Sequence, residues 1–161
     1  MANKLIRQPK MIIGWREWVS LPDFHVPGIK AKVDTGAATS AIHAFDIEPF
    51  ETAGERFVRF AIHPIQGRHD VSIPCEARLI EKRKVKNSGG HIQNRYVIAT
   101  TLALAGNQWE IELTLTNRDE MKFRMLLGRS AMRDRLIVDP QQSYRAGKMA
   151  PNKLYRNIQE K

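Results

Sequence analysis

The sequence predicts an all-β domain with one short helix, and three observations carry that prediction. Apolar and polar residues alternate with the two-residue period of a pleated strand, most clearly over residues 56–62. Glycine- and asparagine-rich punctuation, Asn87-Ser88-Gly89-Gly90 and Gly106-Asn107, falls between strand-like stretches where hairpins would turn. No stretch before residue 130 sustains a helical period, and the one helix expected is a short one following Arg129. At 161 residues the chain is long enough for one domain, which would bury about 70% of the surface its unfolded form exposes.

In chain order, residues 1–10 carry no pattern that would bury them and read as a loose N-terminal segment. Residues 11–139 read as the domain, and residues 140–161 as a basic C-terminal tail. Met11-Ile12-Ile13 begins structure. Residues 14–19 set Trp15 and Trp18 beside Arg16 and Glu17, a strand whose aromatics cap a small core. Pro22, Pro27 and Gly28 mark a turn-rich connection into a strand at 29–33. Residues 44–55 mix acids with Pro49 and Gly54 and read as a connection before the strand at 56–62, which Pro64 and Gly67 end. Short strands at 71–73 and 77–80 flank Pro74. The basic run at 82–86 leads to the Asn87–Gly90 hairpin tip, and residues 96–105 and 109–116 pair about Gly106-Asn107.

One stretch carries chemistry. The strand ending at Val33 runs into Asp34-Thr35-Gly36-Ala37, and we read Asp34 as one half of a catalytic pair. Gly36 has no Cβ, so backbone amides can approach the carboxylate, while the Thr35 hydroxyl can both donate and accept. Asp, Thr and Gly are also ordinary turn residues, so the triplet taken alone is equally a plain turn. Its context is a second apolar stretch ending in glycine far downstream, Met125-Leu126-Leu127-Gly128-Arg129.

Asp34 to Ala37 together with Leu126 to Arg129 resemble the paired motifs of retropepsins, the single-domain aspartic proteases. Residues 14–19, 29–44, 114–119 and 123–129 narrow the resemblance to the bacterial RimB-like family, often labelled "ATP-dependent zinc protease", over about residues 11–145. The resemblance implies a small closed or partly open barrel of retropepsin type and peptide-bond hydrolysis, with Asp34, Thr35 and Gly36 catalytic. One Asp-Thr-Gly per chain then requires a homodimer, because two carboxylates must share a proton. The hairpin over residues 82–96 takes the place of a flap, putting Ala37, Lys84, Lys86, His91 and Arg95 against the substrate. Leu126, Leu127 and Gly128 would support the active loop, and Arg129 would form either a structural ion pair, the favoured role, with Asp119, Asp134 or Asp139, or a dimer contact. The family is linked to enzymes that add glutamate to the tail of a small-subunit ribosomal protein, so the implied substrate is an acidic peptide or poly-glutamate tail and the implied partner a ribosome.

Charge agrees with an anionic partner. The chain carries a net +9, and residues 78–95 hold Arg78, Lys82, Arg83, Lys84, Lys86 and Arg95 against the single acid Glu81. The same charges suit a second class of function, an inactive barrel that binds ribosomal or other anionic surfaces. The five histidines lack the spacing of a zinc site and no phosphate-binding Gly-x-x-x-x-Gly-Lys segment occurs, so neither a metal nor any other cofactor is expected. A lone cysteine, Cys75, and no apolar run of membrane-spanning or signal-peptide length point to the cytoplasm and away from a membrane.

Overall fold

Alternating strands can bury one face around a common axis only by closing, and these do. The structure, a computed structural model, describes residues 9–87, 89–118 and 121–156. Its strands are β1 (Met11–Ile13), β2 (Arg16–Leu21), β3 (Val26–Val33), β4 (Ser40–His43), β5 (Phe45–Thr52), β6 (Glu55–Ile62), β7 (Ile73–Lys86), β8 (Ile92–Leu104), β9 (Asn107–Thr116), β10 (Met125–Leu127) and β11 (Leu136–Val138). Among the described residues nine strands bond in the order β2-β3-β10-β4-β9-β8-β7-β6-β5, and β2 also meets β8 through Ser20 and Ala103. That bridge closes β2, β3, β10, β4, β9 and β8 into a ring, with β7, β6 and β5 as an extension. Ile29, Ile42, Ile98, Leu102, Leu113, Met125 and Leu127 fill it.

Several local rules explain the elements. The β8–β9 turn uses Ala105 (φ 51°) and Gly106 (φ 80°), one residue earlier than the glycine-asparagine pair suggests, because a two-residue hairpin turn of this hand needs positive φ at both central positions. Pro74 lies inside a single long β7 rather than between two short strands. Residues 73–78 of β7 pair with β6 and residues 79–86 with β8, so Pro74 sits where only one neighbour is paired, the edge position in which a strand tolerates proline. β5 was not expected from sequence. It is an edge strand paired only to β6, and its mostly exposed residues with Pro49 give no buried alternation to detect.

The expected short helix follows β10 as α1 (Arg129–Met132), joined by a 3₁₀ turn at Pro22–Phe24 and by α2 (Pro151–Leu154). Residues 1–8 of the expected loose segment, and 157–161 of the expected tail, lie outside the described residues. Residues 140–156 run back over the barrel. The Gln142 carbonyl accepts from Trp15 N (2.9 Å), and Tyr155 is fully buried, its hydroxyl donating to the Gly28 carbonyl. Met149 and Leu154 pack so closely over Gly28 that a Cβ there would lie 2.5 and 2.7 Å from their side chains. This strap covers the outer side of β2, which explains why Glu17, Trp18 and Val19 are buried in succession and the two-residue period fails there.

Candidate active site

The site is made by inserting one strand between two others. β10 runs parallel to β3, with Leu127 opposite Val33, and antiparallel to β4, with Leu126 opposite Ala41. Residues 34–39 must therefore cross the end of β10 to connect β3 to β4. The crossing loop is stitched down by the chain leaving β10. Asp34 N donates to the Leu127 carbonyl (2.9 Å), Arg129 N to Ala37 O (2.8 Å) and Ser130 N to Ala38 O (3.0 Å). Gly128 N donates to the buried Ser40 hydroxyl (3.0 Å). A Cβ on Gly128 would lie 2.6 Å from the Thr39 carbonyl carbon and 3.0 Å from Ala37 O, so only glycine allows this approach.

Within the loop the Asp34 carboxylate accepts from Gly36 N (2.9 Å) and stays half-buried, while Thr35 and Gly36 are exposed. A backbone amide aimed at the carboxylate is the arrangement Gly36 makes possible. Leu127 is buried beneath the loop and Leu126 borders the space in front of it. Arg129 is exposed and donates to the Thr35 carbonyl (2.9 Å). Among the described residues Arg129 makes this backbone bond, which holds the loop tip, and no ion pair; Asp139 accepts from Gln141 N, and Asp119 lies outside the described residues.

In front of Asp34 opens a cleft of about 640 Å³, roofed by the β7–β8 hairpin. Ala37, Lys84, Lys86 and Arg95 line it, as do Arg83, Arg118 and Arg129. His91 does not: it is exposed at the hairpin tip, where its N–H donates to Asn87 Oδ1 (3.0 Å). Among the lining residues, Arg83 was read only as part of the hairpin's positive charge, and Thr39 and Arg118 were not read as site residues. Glu81 and Arg83, two apart on one strand, share a face and were a readable signal.

The cations differ in state. Arg83 reaches Glu81 (2.6 Å) and Glu112 (2.9 Å), and these hydrogen bonds raise its pKa. Lys84 and Lys86 are exposed. Arg95 is only 7% exposed and bonds to two neutral oxygens, Gln93 Oε1 (3.1 Å) and Thr114 Oγ1 (3.5 Å). Desolvation, and secondarily the Arg118 charge, push its pKa below the usual arginine value.

Among the described residues no side-chain set fits the zinc label attached to the family. His43, His63 and His69 come together, but as a stack with rings inclined by 17–26° and centroids 5.0–5.7 Å apart. A tetrahedral site needs ring nitrogens converging on one point, and among the described residues no three His, Cys, Asp or Glu side chains do so. Cys75 is buried, which raises its thiol pKa to about 12. No helix among the described residues is long and apolar enough to cross a membrane.

Comparison with known proteins places this geometry. Residues 12–149 match the family described as RimB-like, retropepsin-like aspartic endopeptidase RimB. The chain is 51% identical over 138 residues to a protein of Shewanella halifaxensis named "Probable alpha-L-glutamate ligase", covering 86% of this chain and 30% of that protein. A protein of the same name from Parasynechococcus marenigrum is 48% identical over 145 residues, covering 90% of this chain and 31% of its own length. The chain thus spans about a third of the length of the curated relatives it matches. A crystal structure of a Legionella pneumophila protein of unknown function superposes with a TM-score of 0.74 at 27% identity, covering 86% of this chain and 99% of that one. With the Asp34 loop crossing an inserted strand inside a closed β ring, the chain belongs to the RimB-like family of retropepsin-like aspartic endopeptidases.

Proposed function

We propose that the chain is an aspartic peptidase that works as a two-fold dimer on acidic peptides, with the poly-glutamate tail of a ribosomal protein as its substrate. The observation that carries this reading is the charge of the cleft. Asp34 is the one carboxylate bordering it among the described residues, and every other charged group there is a cation: Arg83, Lys84, Lys86, Arg95, Arg118 and Arg129. Such a cleft favours a polyanionic chain and disfavours neutral or basic ones. The relatives support the glutamate part, because proteins named for glutamate ligation contain a counterpart of this domain. The free, buried Cys75 accords with a reducing cytoplasm.

The dimer follows from chemistry. A single carboxylate cannot both deprotonate water and polarise a carbonyl, so the exposed Asp34 loop meets its copy across a two-fold axis. Two adjacent carboxylates share one proton because both cannot ionise cheaply. The ionised one takes a proton from water as the oxygen attacks the carbonyl carbon, while the protonated one donates to the carbonyl oxygen. The carboxyl that took the water proton then passes it to the amide nitrogen, the other carboxylate takes back a hydroxyl proton from the tetrahedral intermediate, and the C–N bond breaks to release the amine and a carboxylic acid.

The test is mass spectrometry of glutamate-tailed peptides incubated with the wild type and with Asp34→Asn, with and without a chelator and over a range of protein concentration. Shortened tails from the wild type alone, insensitive to chelator and rising steeply with concentration, are expected. Tails intact under every condition would overturn the peptidase reading and leave the barrel as a binding module.

A further inference from the structure

Six cations border the cleft, and their surroundings assign them different work. Arg83 is balanced by Glu81 and Glu112. Arg129 is committed to the Thr35 carbonyl. Lys84 and Lys86 stand exposed, where an ammonium keeps its hydration. Arg95 differs from all of these. It is more than nine-tenths buried and borders the cleft, and among the described residues no carboxylate bonds to it. On the facing strand its register partner is Arg83, already balanced by its own two glutamates, and Arg118 adds a positive charge nearby. A buried charge without a counter-ion is unfavourable, and a like charge nearby makes it more so.

We propose that Arg95 is the carboxylate-reading residue of the cleft, and that a substrate carboxylate, from a side chain or a chain terminus, completes its planar array of donors. This inference rests on the peptide-binding reading of the cleft and deepens it by naming the residue that selects charge. Arg95 is held for the purpose by the barrel rather than by the hairpin tip. Its Nη1 contacts Thr114 Oγ1, and that hydroxyl donates to the Ser40 carbonyl (3.1 Å). Ser40 in turn takes the Gly128 amide at the root of the Asp34 loop. The receptor and the reactive carboxylate are therefore anchored to the same pair of strand ends, which fixes one relative to the other. Lys84 and Lys86 act at longer range, raising the local concentration of an anionic chain in a salt-dependent way.

The experiment uses the full chain carrying Asp34→Asn, so that ligand survives, and calorimetric titration with three acetylated probes: tetraglutamate amide, tetraglutamine amide and tetraglutamine free acid. A charge-assisted bidentate bond predicts that at least one carboxylate-bearing probe binds roughly 10- to 100-fold more tightly than the uncharged amide. Which probe does so identifies the side-chain or the terminal source. Adding Arg95→Gln is expected to reduce that preference to about 3-fold or less, and the loss persists at about 1 M salt, where the effect of Lys84→Gln vanishes. Arg95→Lys, which keeps the charge but not the fork, should retain only part of the preference and gives the same answer if the glutamine variant folds poorly. Undiminished preference in both Arg95 variants, or none in the parent, overturns the inference. Wild-type hydrolysis of the same tetraglutamate, followed in parallel, separates this from the peptidase reading. Asp34-dependent cleavage alongside an Arg95-independent preference sinks only the receptor, whereas absent cleavage with an Arg95-dependent preference sinks only the peptidase.

Discussion

Glu17 and Arg95 are both buried charges on barrel strands, and their surroundings are opposite. Glu17 is fully buried and its carboxylate accepts three backbone amides, from Gly14 (2.7 Å), Arg145 (2.9 Å) and Ala146 (3.0 Å). Arg95 meets one amide oxygen and one distant hydroxyl. A charge whose lone pairs are filled by the chain itself is part of the scaffold, since removing it strands the donors. A charge left incomplete at the wall of a cleft costs stability in the resting protein, and that cost is recovered only when something binds. Exposure alone cannot separate the two residues; the identity of the bonded partners does.

The largest effect should come from the crossing at the root of the cleft. In Gly128→Ala the new Cβ would meet backbone atoms of Thr39 and Ala37 at 2.6–3.0 Å, and backbone cannot swing aside as a side-chain tip can. The Asp34 loop must lift, breaking the amide bonds from Gly128 and Arg129. Urea unfolding should show a loss of about 3 kcal/mol or more, together with loss of any Asp34-dependent hydrolysis. An alanine variant as stable and active as the parent would show that the loop does not depend on this close approach.

Next comes the scaffold charge itself. Glu17→Ala leaves three amides without their acceptor, though Arg145 and Ala146 lie near enough to solvent for water to replace part of the loss. The expected cost is about 2–4 kcal/mol, read as a fall in Tm of roughly 6–12 °C for a chain of this length. The strap over β2 should loosen with it, seen as faster hydrogen exchange at residues 145–146 while the amides of β8 and β9 remain protected. Uniform loss across the barrel would instead make Glu17 part of the global core.

How much of this was legible differs between the two regions. The Asp34 loop could be read because its geometry is encoded in two contiguous motifs, Asp34 to Ala37 and Leu126 to Arg129, whose roles depend on small residues at fixed places. The β8–β9 hairpin was legible for a similar reason, a glycine between two alternating runs. The strap was not: Glu17 is separated from Arg145 by 128 positions, and nothing in either neighbourhood announces the contact. Basic composition suggested a tail at 140–161, yet Met149, Leu154 and Tyr155 supply an apolar underside that packs on Gly28. The state of each cleft cation was equally hidden, because neutralisation of Arg83 depends on Glu112 from another strand and the partner of Arg129 is a carbonyl.

Tyr155 gives a smaller effect with a pH signature. Burial raises its phenol pKa from 10.0 to about 12, against a weaker opposing influence of the Gly28 backbone bond. The unfolded chain then loses this proton before the folded one does. The stability contributed is complete below about pH 10 and is lost as pH rises toward about 12. Tyr155→Phe removes both the hydrogen bond and the titration, at a cost of about 1 kcal/mol at neutral pH. Unfolding free energies measured across pH 9 to about 12 should fall more steeply for the parent than for the phenylalanine variant. Parallel curves would mean that the strap end does not stay docked in that range.

The smallest expected change in stability belongs to Arg95, and its size is what distinguishes the two charges. Replacing a buried, hydrogen-bonded charge normally destabilises strongly, because a partner charge is left behind. Here no carboxylate among the described residues would be left behind, and Arg118 would lose a like-charged neighbour. Glutamine can still reach Gln93 or Thr114 with its amide, so few donors are stranded. Arg95→Gln is therefore expected to change the unfolding free energy by less than about 1 kcal/mol, with a gain as reasonable as a loss. The same measurement repeated with saturating tetraglutamate amide should separate the proteins, since ligand that binds only the folded state raises Tm in proportion to its affinity. The parent should rise and the Arg95→Gln variant should not. A variant destabilised as much as Glu17→Ala in the absence of ligand would put Arg95 in the scaffold beside Glu17, and the incomplete hydrogen bonding at the cleft wall would then have no functional meaning.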